Sequence, residues 1–377
     1  MTSWKFFIYF FLFYLSSSCR GQNSLNKEIP SEILSGTIVS KFERDSIKNS
    51  IKNGVLLEKY LPLKYSRKGN IDYTARLQKG IDENKVVIFP NFPIQINHLG
   101  LTLHSNSVLL FQENSKIILK ENPNTHYEIL RIHDVENVSV YFANIIGDRY
   151  KHTATNGEWG MGISVRGTKN VLLYAPTVKE CWGDGIYLGI SPNTGNANNE
   201  NVKIYKGVVN NNRRNGMSII SAQNLKVNKF VAANTFGTSP QAGIDVEPDS
   251  NTDIIKNLNF ENVSVFNNET HGLLFVLGNL SGKKYDIGTV NVKNFKADTG
   301  YLGISFKLAN DKEKHHNPTG IINVDNASFS NLSRAEFLSY DENRSNKINV
   351  KVKVKNETEE QKIRKQLHNS DRFRVTK

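Results

Sequence analysis

The stretch CWGDGIYLG, residues 181–189, places a glycine before a short strand of alternating apolar residues. The same pattern occurs six times, at intervals of 23 to 31 residues; the aligned glycines are Gly162, Gly185, Gly216, Gly243, Gly272 and Gly303. Between these copies an asparagine followed by aliphatic residues recurs, as in NVLL at Asn170 and NVKI at Asn201. Two short strands per repeat, at irregular periods of about 20 to 30 residues, indicate stacked coils.

The composition of the repeats decides which kind of coil they form. They are rich in β-branched and aromatic residues and are broken by Asn and Gly, which disfavours a helical solenoid. A propeller would need blades of four strands over about 40–45 residues, longer than these repeats. The sequence therefore predicts an all-β parallel β-helix.

The two ends of the repeat region support this fold. The segment DYTARLQKGIDEN, residues 72–84, predicts a helix with Asp72 as its N-cap, covering the open first coil. INVKVKVK, residues 348–355, alternates Val with Lys and predicts the final strand, whose lysines discourage edge pairing. The predicted division is an export signal at 1–19, an N-terminal segment and cap at 20–70, the β-helix at 71–345, and a basic strand and tail at 346–377.

The first residues predict export. Lys5 precedes the apolar run FFIYFFLFYL, residues 6–15, which is short for a membrane span and typical of a signal sequence. LSSSC, residues 15–19, is similar to a bacterial lipobox, with Cys19 as the lipidated residue; an ordinary cleavage site nearby is the alternative. We therefore expect an exported chain, either lipid-anchored in the bacterial cell envelope or secreted, that meets a membrane only through that anchor.

The order of DYTARLQKGID (72–82), VVIFP (86–90) and GLTLHSNSVLLF (100–111) before the coils resembles the right-handed parallel β-helix carbohydrate-active proteins. These include polygalacturonase-type glycoside hydrolases, pectate lyases, phage tailspikes and alginate epimerases. The resemblance covers most of residues 70–340. It implies a right-handed coil and a polysaccharide substrate, but it leaves the reaction open because such proteins hydrolyse, eliminate or epimerise on one scaffold.

Strand alternation separates the lumen of the coil from its outer surface. Twelve apolar residues after the glycines are predicted to fill the lumen: Ile163, Val165, Ile186, Leu188, Met217, Ile219, Ile244, Val246, Leu273, Phe275, Ile304 and Phe306. The positions between them face outward. Because neighbouring coils stack about 4.8 Å apart, we expect Asp184, Asp245, Glu247 and His271 to share one exposed face.

The carboxyl groups on this face suggest acid–base chemistry. Asp245 and Glu247 point the same way, and like charges this close raise one pKa and leave the other group ionised. Asp184, two coils away, is either the partner carboxylate across a glycosidic bond or a turn residue. His271 and Lys307 resemble basic residues of the polygalacturonase type. However, the paired aspartates of that type are absent, and WGD stands where it has Asn-Thr-Asp.

The surrounding polar residues predict a binding surface. The loop GDRYKHTATNGEW, residues 147–159, is longer than its counterparts, and such loops tend to carry function. Arg149 and Arg166 are predicted to grip a carboxylate or sulfate. The full set of predicted substrate-binding residues is Arg149, His152, Glu158, Arg166, Tyr187, Arg213, Arg214, Asn215 and Lys307.

Charge and motifs narrow the function. The net charge is +12, but residues 347–377 hold ten Lys/Arg against four Asp/Glu, and no nucleic-acid-binding motif is present. No metal-binding motif is seen, so no cofactor is predicted; calcium would be needed only by a lyase, unless a neutral base serves. The prediction is a glycoside hydrolase acting on a polysaccharide, with an anionic polymer as one option. A lyase or uronate epimerase, or a non-catalytic glycan-binding protein, are the alternatives. Monomer versus trimer is left open.

Overall fold

The computed structural model of the chain describes residues 25–195, 197–309, 316–341, 347–354, 356–367 and 372–376. These residues wind into a right-handed parallel β-helix of about nine turns, which confirms the predicted fold class. The predicted export signal and its Cys19 lie outside the described residues.

Each coil contributes strands to three parallel ladders, here called the first, second and third ladders in chain order. The first ladder contains Val55–Leu56, Val86–Ile88, Val108–Leu110, Glu136–Tyr141, Lys169–Tyr174, Asn199–Tyr205, Ala222–Gln223, Ile255–Lys256, Asp286–Lys293, Thr319–Asp325, Lys347–Lys353 and Phe373–Thr376. The second contains Pro93–Ile96, Lys116–Leu119, Asn144–Ile146, Thr177–Lys179 and Val208–Asn210. The third contains Leu101–Thr102, His126–His133, Trp159–Arg166, Ile186–Gly189, Met217–Ile219 and Ala242–Val246.

Four longer strands bend around the corners of the coil and serve more than one ladder. Lys226–Ala233 pairs in the first and second ladders, and Asn259–Val276 pairs in all three. Lys296–Lys307 and Ser328–Ser339 continue the second and third ladders. Towards the C-terminal end, single strands therefore continue through the corners that separate the ladders in the earlier coils.

The lumen is apolar, as predicted. All twelve predicted lumen residues are buried at 0% exposure and belong to one core. Aromatic rings stack from coil to coil inside it; Phe275 and Phe306 lie 5.8 Å apart and nearly parallel. Burial of an apolar side chain of this size contributes about 1.5–3 kcal/mol relative to exposure, so the lumen is the main source of stability.

The repeated glycine is required by close packing between coils. A Cβ atom on Gly216 would lie 2.4 Å from the carbonyl oxygen of Gly243, and one on Gly243 would lie 2.7 Å from that of Gly272. The same contact relates Gly185 to Gly216 and Gly272 to Gly303. Each glycine therefore lets the next coil approach, and larger residues are excluded from this column.

The repeated asparagine forms a second column. Asn137, Asn170, Asn201, Asn224 and Asn257 all have φ between 54° and 57°, in the left-handed region that asparagine tolerates. Each side-chain amide donates to the preceding asparagine in the column, as Asn201 does to Asn170 at 3.1 Å. The NV pattern of the sequence therefore marks the turn into the first ladder.

The chain has four α-helices among its described residues: α1 (Ser31–Leu34), α2 (Lys41–Ser50), α3 (Thr74–Glu83) and α4 (Glu357–Gln366). Short 3-10 helices occur at Ser35–Thr37, Leu57–Tyr60 and Gly278–Leu280. None of the described helices is long and apolar enough to cross a membrane. α3 is the predicted helix, with Leu77 and Ile81 buried against the first coil.

Two details of the ends differ from the prediction. The N-cap of α3 is Tyr73, and Asp72 instead accepts a hydrogen bond from the backbone of Thr74 at 2.9 Å. Lys347–Lys353 is not the final strand, because Phe373–Thr376 pairs beyond it after α4. That last strand is only four residues long with two buried apolar side chains, too weak a pattern to recognise in the sequence.

The N-terminal segment lies along the outside of the coils. Lys27 exchanges backbone hydrogen bonds with the side chain of Asn234, and Asn267 donates to the carbonyl of Leu25 at 2.6 Å. In α2, Glu43 forms an ion pair with Lys206 at 2.6 Å. Residues 25–50 therefore brace the middle coils, rather than the open end that α3 covers.

Candidate active site

The outer face of the third ladder carries the predicted site. Tyr187, Ser218 and Asp245 occupy the same register position on three successive strands, so they form one row along the coil axis. Asp184 and Asn215 precede the glycines of the first two of these strands. We call Asp184, Arg214, Asn215, Ser218, Asp245 and Glu247 the carboxyl cluster.

The expectation that the two aspartates are exposed is wrong. Asp184 and Asp245 are both 0% exposed, and Ser218 and Tyr187 beside them are also buried. The cause is a cover from neighbouring coils: Arg214 lies over Asp184, and Asn215 fills the space between the aspartates. Glu247 is half-buried and brings the cluster to the surface.

Asp184 is held by an arginine and a backbone amide. Its Oδ2 accepts from Arg214 Nη1 at 3.0 Å, and its Oδ1 accepts from the backbone nitrogen of Asn215 at 3.0 Å. Burial raises the pKa of Asp184, and the positive charge of Arg214 opposes that rise. In return, Asp184 raises the pKa of the Arg214 guanidinium. These contacts join two successive coils through an ion pair.

Asp245 accepts a hydrogen bond from one amide side chain and faces the carboxyl group of Glu247. Its Oδ2 accepts from Asn215 Nδ2 at 3.2 Å, while its buried Oδ1 has no partner among the described residues. Burial raises the pKa of Asp245 well above its usual range, and the neighbouring charge of Glu247 raises it further. Asp245 is therefore a carboxyl group that holds its proton more tightly than an ordinary aspartate.

Asn215 joins the two aspartates. Its backbone nitrogen binds Asp184 and its side-chain amide binds Asp245 and Ser218. The structure therefore brings Asp184, Asn215, Asp245 and Glu247 together in one cluster, as the strand register suggested, although below the surface rather than on it.

Aromatic and charged side chains extend the site towards the preceding coils. The ring centroids of Trp159 and Tyr187 lie 5.5 Å apart, and the guanidinium of Arg166 lies 5.6 Å from the Tyr187 ring centroid. Arg166 also donates to Glu128 at 3.3 Å and to the carbonyl of Ile190 at 3.0 Å. The exposed Glu158 lies 3.5 Å from Arg214 Nε. These residues border the carboxyl cluster on one side.

Arg149 is not on the surface, contrary to the prediction. It is 7% exposed and donates to the carbonyls of Asn211 at 2.9 Å and Phe236 at 2.6 Å, with its guanidinium 4.0 Å from the Phe236 ring. Backbone carbonyls satisfy the donors that a substrate carboxylate or sulfate would need. Arg149 therefore anchors the long loop to later coils.

His152 is also turned inward. Its side chain is fully buried, its Nδ1 lies 2.9 Å from Asp148 Oδ2, and its ring stacks on Trp182 at 4.1 Å. Arg213 covers the Trp182 ring at 3.8 Å and donates to the carbonyl of Gly157 at 2.7 Å. His152 and Arg213 therefore pin the loop over Trp182. The polar group of His152 is buried, contrary to the prediction, whereas Arg213 is half-buried.

His271 and Lys307 lie further along the same ladder. His271 pairs in register with Ala242, one coil from the cluster, and its Nδ1 is 2.9 Å from Ser305 Oγ. Burial lowers the pKa of His271 to about 4, so it is neutral at neutral pH. Lys307 is exposed and lies one further coil away, opposite Val276. Within the described part of the chain, no hydrogen bond or ion pair joins either residue to the carboxyl cluster.

Two features of the site were missed in the sequence. Asp249 continues the alternation of Asp245 and Glu247 and is exposed. Burial raises the pKa of Tyr187, and the charge of Asp249 raises it further. Glu128 and His133 belong to a coil that lacks the glycine; Glu128 accepts from Ser164 at 2.9 Å. Aligning one more coil before the first repeat would have identified Glu128 and His133. Following the outward positions two residues beyond Glu247 would have identified Asp249.

No group of residues that would suit a metal ion is found in the described part of the chain. A concavity of about 610 Å3 lies elsewhere, on the first ladder. Glu261, Lys293 and Asp325 occupy the same register position there on three successive strands. A lysine separates these carboxylates, so this surface lacks a closely coupled pair. The carboxyl cluster remains the candidate site.

Comparison with known proteins supports the fold. No family model matches the chain. Two Bacillus subtilis proteins are similar: the SPbeta prophage-derived uncharacterized protein YorA is 31% identical over 166 residues, covering 39% of this chain and 28% of that protein. The uncharacterized protein YclG is 30% identical over 195 residues, covering 47% and 32%. The matched region thus spans about a third of these relatives.

Among solved structures, the N-terminal fragment of bacteriophage Phi29 gene product 12 is similar with a TM-score of 0.52 and 13% identity, covering 82% of this chain and 48% of that chain. An iota-carrageenase complexed to iota-carrageenan fragments gives a TM-score of 0.48 and 13% identity, covering 67% and 56%. At such identities the Phi29 likeness shows the shared fold alone.

Proposed function

We propose that the chain is a polysaccharide-degrading enzyme that hydrolyses glycosidic bonds at the carboxyl cluster. The observation that supports this most is the buried, unpartnered Oδ1 of Asp245 beside Glu247. Burial and a neighbouring like charge keep a proton on this pair at a pH where ordinary carboxyl groups have lost theirs. Cleavage of a glycosidic bond requires such a proton for the leaving oxygen.

The assigned roles follow from accessibility. Glu247 is half-buried and is the group through which the pair reaches a substrate, whereas Asp245 lies beneath it. Glu247 therefore donates the proton to the leaving oxygen as the glycosidic C–O bond breaks. A water molecule adds to the anomeric carbon, and the proton that this water releases returns to the Glu247–Asp245 pair. Asp184 is buried and ion-paired with Arg214, so we assign it a positioning role: it fixes Arg214 beside the acid pair.

The two rival functions need other groups. A lyase or uronate epimerase needs a base that removes a proton from carbon. Burial raises the pKa of Tyr187, which makes its phenol a poorer base at neutral pH. His271 Nδ1 already contacts Ser305. Lys307 lies two coils from the strand that contains Asp245. A non-catalytic glycan-binding protein needs no protonated carboxyl pair. The cluster therefore favours hydrolysis over both.

Substitution of the acid pair tests the proposal. Asp245→Asn and Glu247→Gln should each lower turnover at least about 100-fold, the usual contribution of a general acid, because the amides cannot donate that proton. Substrate binding should survive, since the shapes are retained. Turnover is measured as reducing ends released from a panel of polysaccharides.

Glu261→Gln is the matched control, because Glu261 lies on the first ladder, away from the cluster. It should leave turnover unchanged. Near-normal activity in both cluster variants would refute the assignment. A larger loss in His271→Ala than in the carboxyl variants would favour elimination or epimerisation instead.

Export is a separate proposal that rests on the sequence alone. The apolar run after Lys5 and the LSSSC segment support export with Cys19 as the site of lipid attachment.

A further inference from the structure

We infer that the surface over the carboxyl cluster selects a polysaccharide that carries hydroxyl or amino groups rather than acidic ones. This inference rests on the proposed function and names its substrate class. It departs from the expectation of an anionic substrate, which Arg149 and Arg166 had suggested in the sequence.

Acidic side chains dominate the site. Six carboxyl groups lie in or beside the cluster: Glu128, Glu158, Asp184, Asp245, Glu247 and Asp249. Two arginines, Arg166 and Arg214, stand among them. His133 contributes no charge at neutral pH, because burial lowers its pKa to about 4. Even with Asp245 protonated, the carboxylates outnumber the cations.

The arginines are already occupied. Arg214 binds Asp184 and lies near Glu158, and Arg166 binds Glu128 and the carbonyl of Ile190. Arg213 donates to the carbonyls of Gly157 and Trp182 while stacking on Trp182. A substrate carboxylate or sulfate would have to displace protein acceptors from these guanidiniums. Recognition of an acidic sugar normally depends on donors that are available.

The accessible groups have the opposite character. Glu247 is half-buried and Asp249 is exposed, so both carboxyl groups present acceptor oxygens on the solvent side. A substrate hydroxyl or ammonium group would donate to such acceptors. A substrate carboxylate at the same place would meet like charges, which weakens binding. The site therefore favours neutral and amino sugars.

Binding, rather than turnover, tests this inference separately from the proposed function. The Asp245→Asn variant serves as an inactive background. Its affinity is measured by calorimetry at pH 6 for hexamers of β-1,4-linked glucosamine, of β-1,4-linked N-acetylglucosamine, and of α-1,4-linked galacturonate. The galacturonate hexamer should bind at least about 10-fold more weakly than the better of the other two.

The charge of this surface should also control the difference in affinity between the galacturonate hexamer and the better of the other two. Adding Glu247→Gln and Asp249→Asn should narrow it, and so should high salt, which screens exposed charges. The control Glu261→Gln should leave it unchanged. Galacturonate binding as tight as the others, and weakened by salt, would overturn the inference.

A measurement without sugar covers the case in which none of the hexamers binds. Trp159 lies beside Tyr187 at the edge of the cluster, while Trp182 is largely buried. Caesium ion should quench Trp159 fluorescence more efficiently than iodide, each scaled to neutral acrylamide, and Asp249→Asn should reduce the difference. More efficient quenching by iodide would overturn the inference whatever the enzyme cleaves.

Discussion

A single buried carboxyl group carries most of the chemistry proposed here. Asp245 sits in a row whose neighbours are Ser218 and Leu274, so strand alternation points it out of the lumen. Side chains from other coils then enclose it. Because burial and then the neighbouring charge of Glu247 raise the pKa of Asp245, the neutral acid is the form that this environment favours.

This environment predicts how stability depends on pH. The pKa of Asp245 is raised in the folded state by burial and then by Glu247, so the folded protein holds the proton that the unfolded chain releases. Stability should therefore fall as pH rises above the unfolded value near 4, until the folded group also loses its proton. Asp245→Asn, which cannot ionise, should be more thermostable than the wild type at pH 7.

The melting temperatures of the two proteins between pH 3.5 and pH 8 provide the measurement. The advantage of Asp245→Asn should vanish at the acidic end. A variant that is less stable than the wild type at pH 7 would mean that the ionised carboxylate is stabilising, and would remove the basis for its role as an acid.

The sequence predicted the direction of these side chains but not their exposure. A period of two assigns each residue to the lumen or the outer face, and all twelve lumen assignments are confirmed. Exposure depends on groups about 30 residues away, such as Arg214 over Asp184. No local pattern encodes that contact. The inward turn of His152 and Arg149 has the same cause, since both bind elements of later coils.

At the scale of the element, the repeated asparagine and the repeated glycine contribute to coil stacking in different ways. The asparagine column supplies side-chain hydrogen bonds and a left-handed turn, and the glycine column lets adjacent backbones approach. The glycine backbones in the column avoid positive φ. A larger residue is therefore excluded by the carbonyl of the next coil rather than by its own backbone.

The glycine column yields a direct prediction. Gly216→Ala should lower the free energy of unfolding by about 1–3 kcal/mol, the usual cost of overpacking, because its Cβ would lie 2.4 Å from the Gly243 carbonyl oxygen. Urea unfolding followed by circular dichroism gives the comparison.

Gly36→Ala is the matched control. A Cβ at Gly36 would meet only the Lys229 side chain at 3.9 Å, so the change should stay within about 0.5 kcal/mol of the wild type. Equal stability of the two variants would show that the coils can separate locally and that close approach does not explain the column.

Elements were predictable where a pattern repeats, and less so where it does not. The coils and α3 follow from spacing and periodicity. The bracing of residues 25–50 against Asn234 and Asn267 involves side-chain amides more than 200 residues away, which a single sequence does not reveal. The last strand, Phe373–Thr376, follows a helix and has no repeat partner in the sequence.

For the whole molecule, the fold places its charge unevenly. The net charge of +12 includes a C-terminal region with ten Lys/Arg, whereas the outer face of the third ladder carries a concentration of carboxyl groups. Whole-chain charge therefore misrepresents the candidate site. The same ladder holds the carboxyl cluster in its middle coils, with Trp159 to one side and His271 to the other, so an extended substrate can contact several coils at once.

The central claim, that this molecule hydrolyses glycosidic bonds, is tested most directly by the products it forms. The chain is incubated with neutral, amino and acidic polysaccharides, and each digest is assayed for new reducing ends and for absorbance of an unsaturated sugar in the ultraviolet. Hydrolysis predicts new reducing ends from a neutral or amino polymer, no unsaturated product, and loss of the signal in Glu247→Gln but not in Glu261→Gln. Unsaturated products, or a polymer that is bound and left intact throughout the panel, would contradict it.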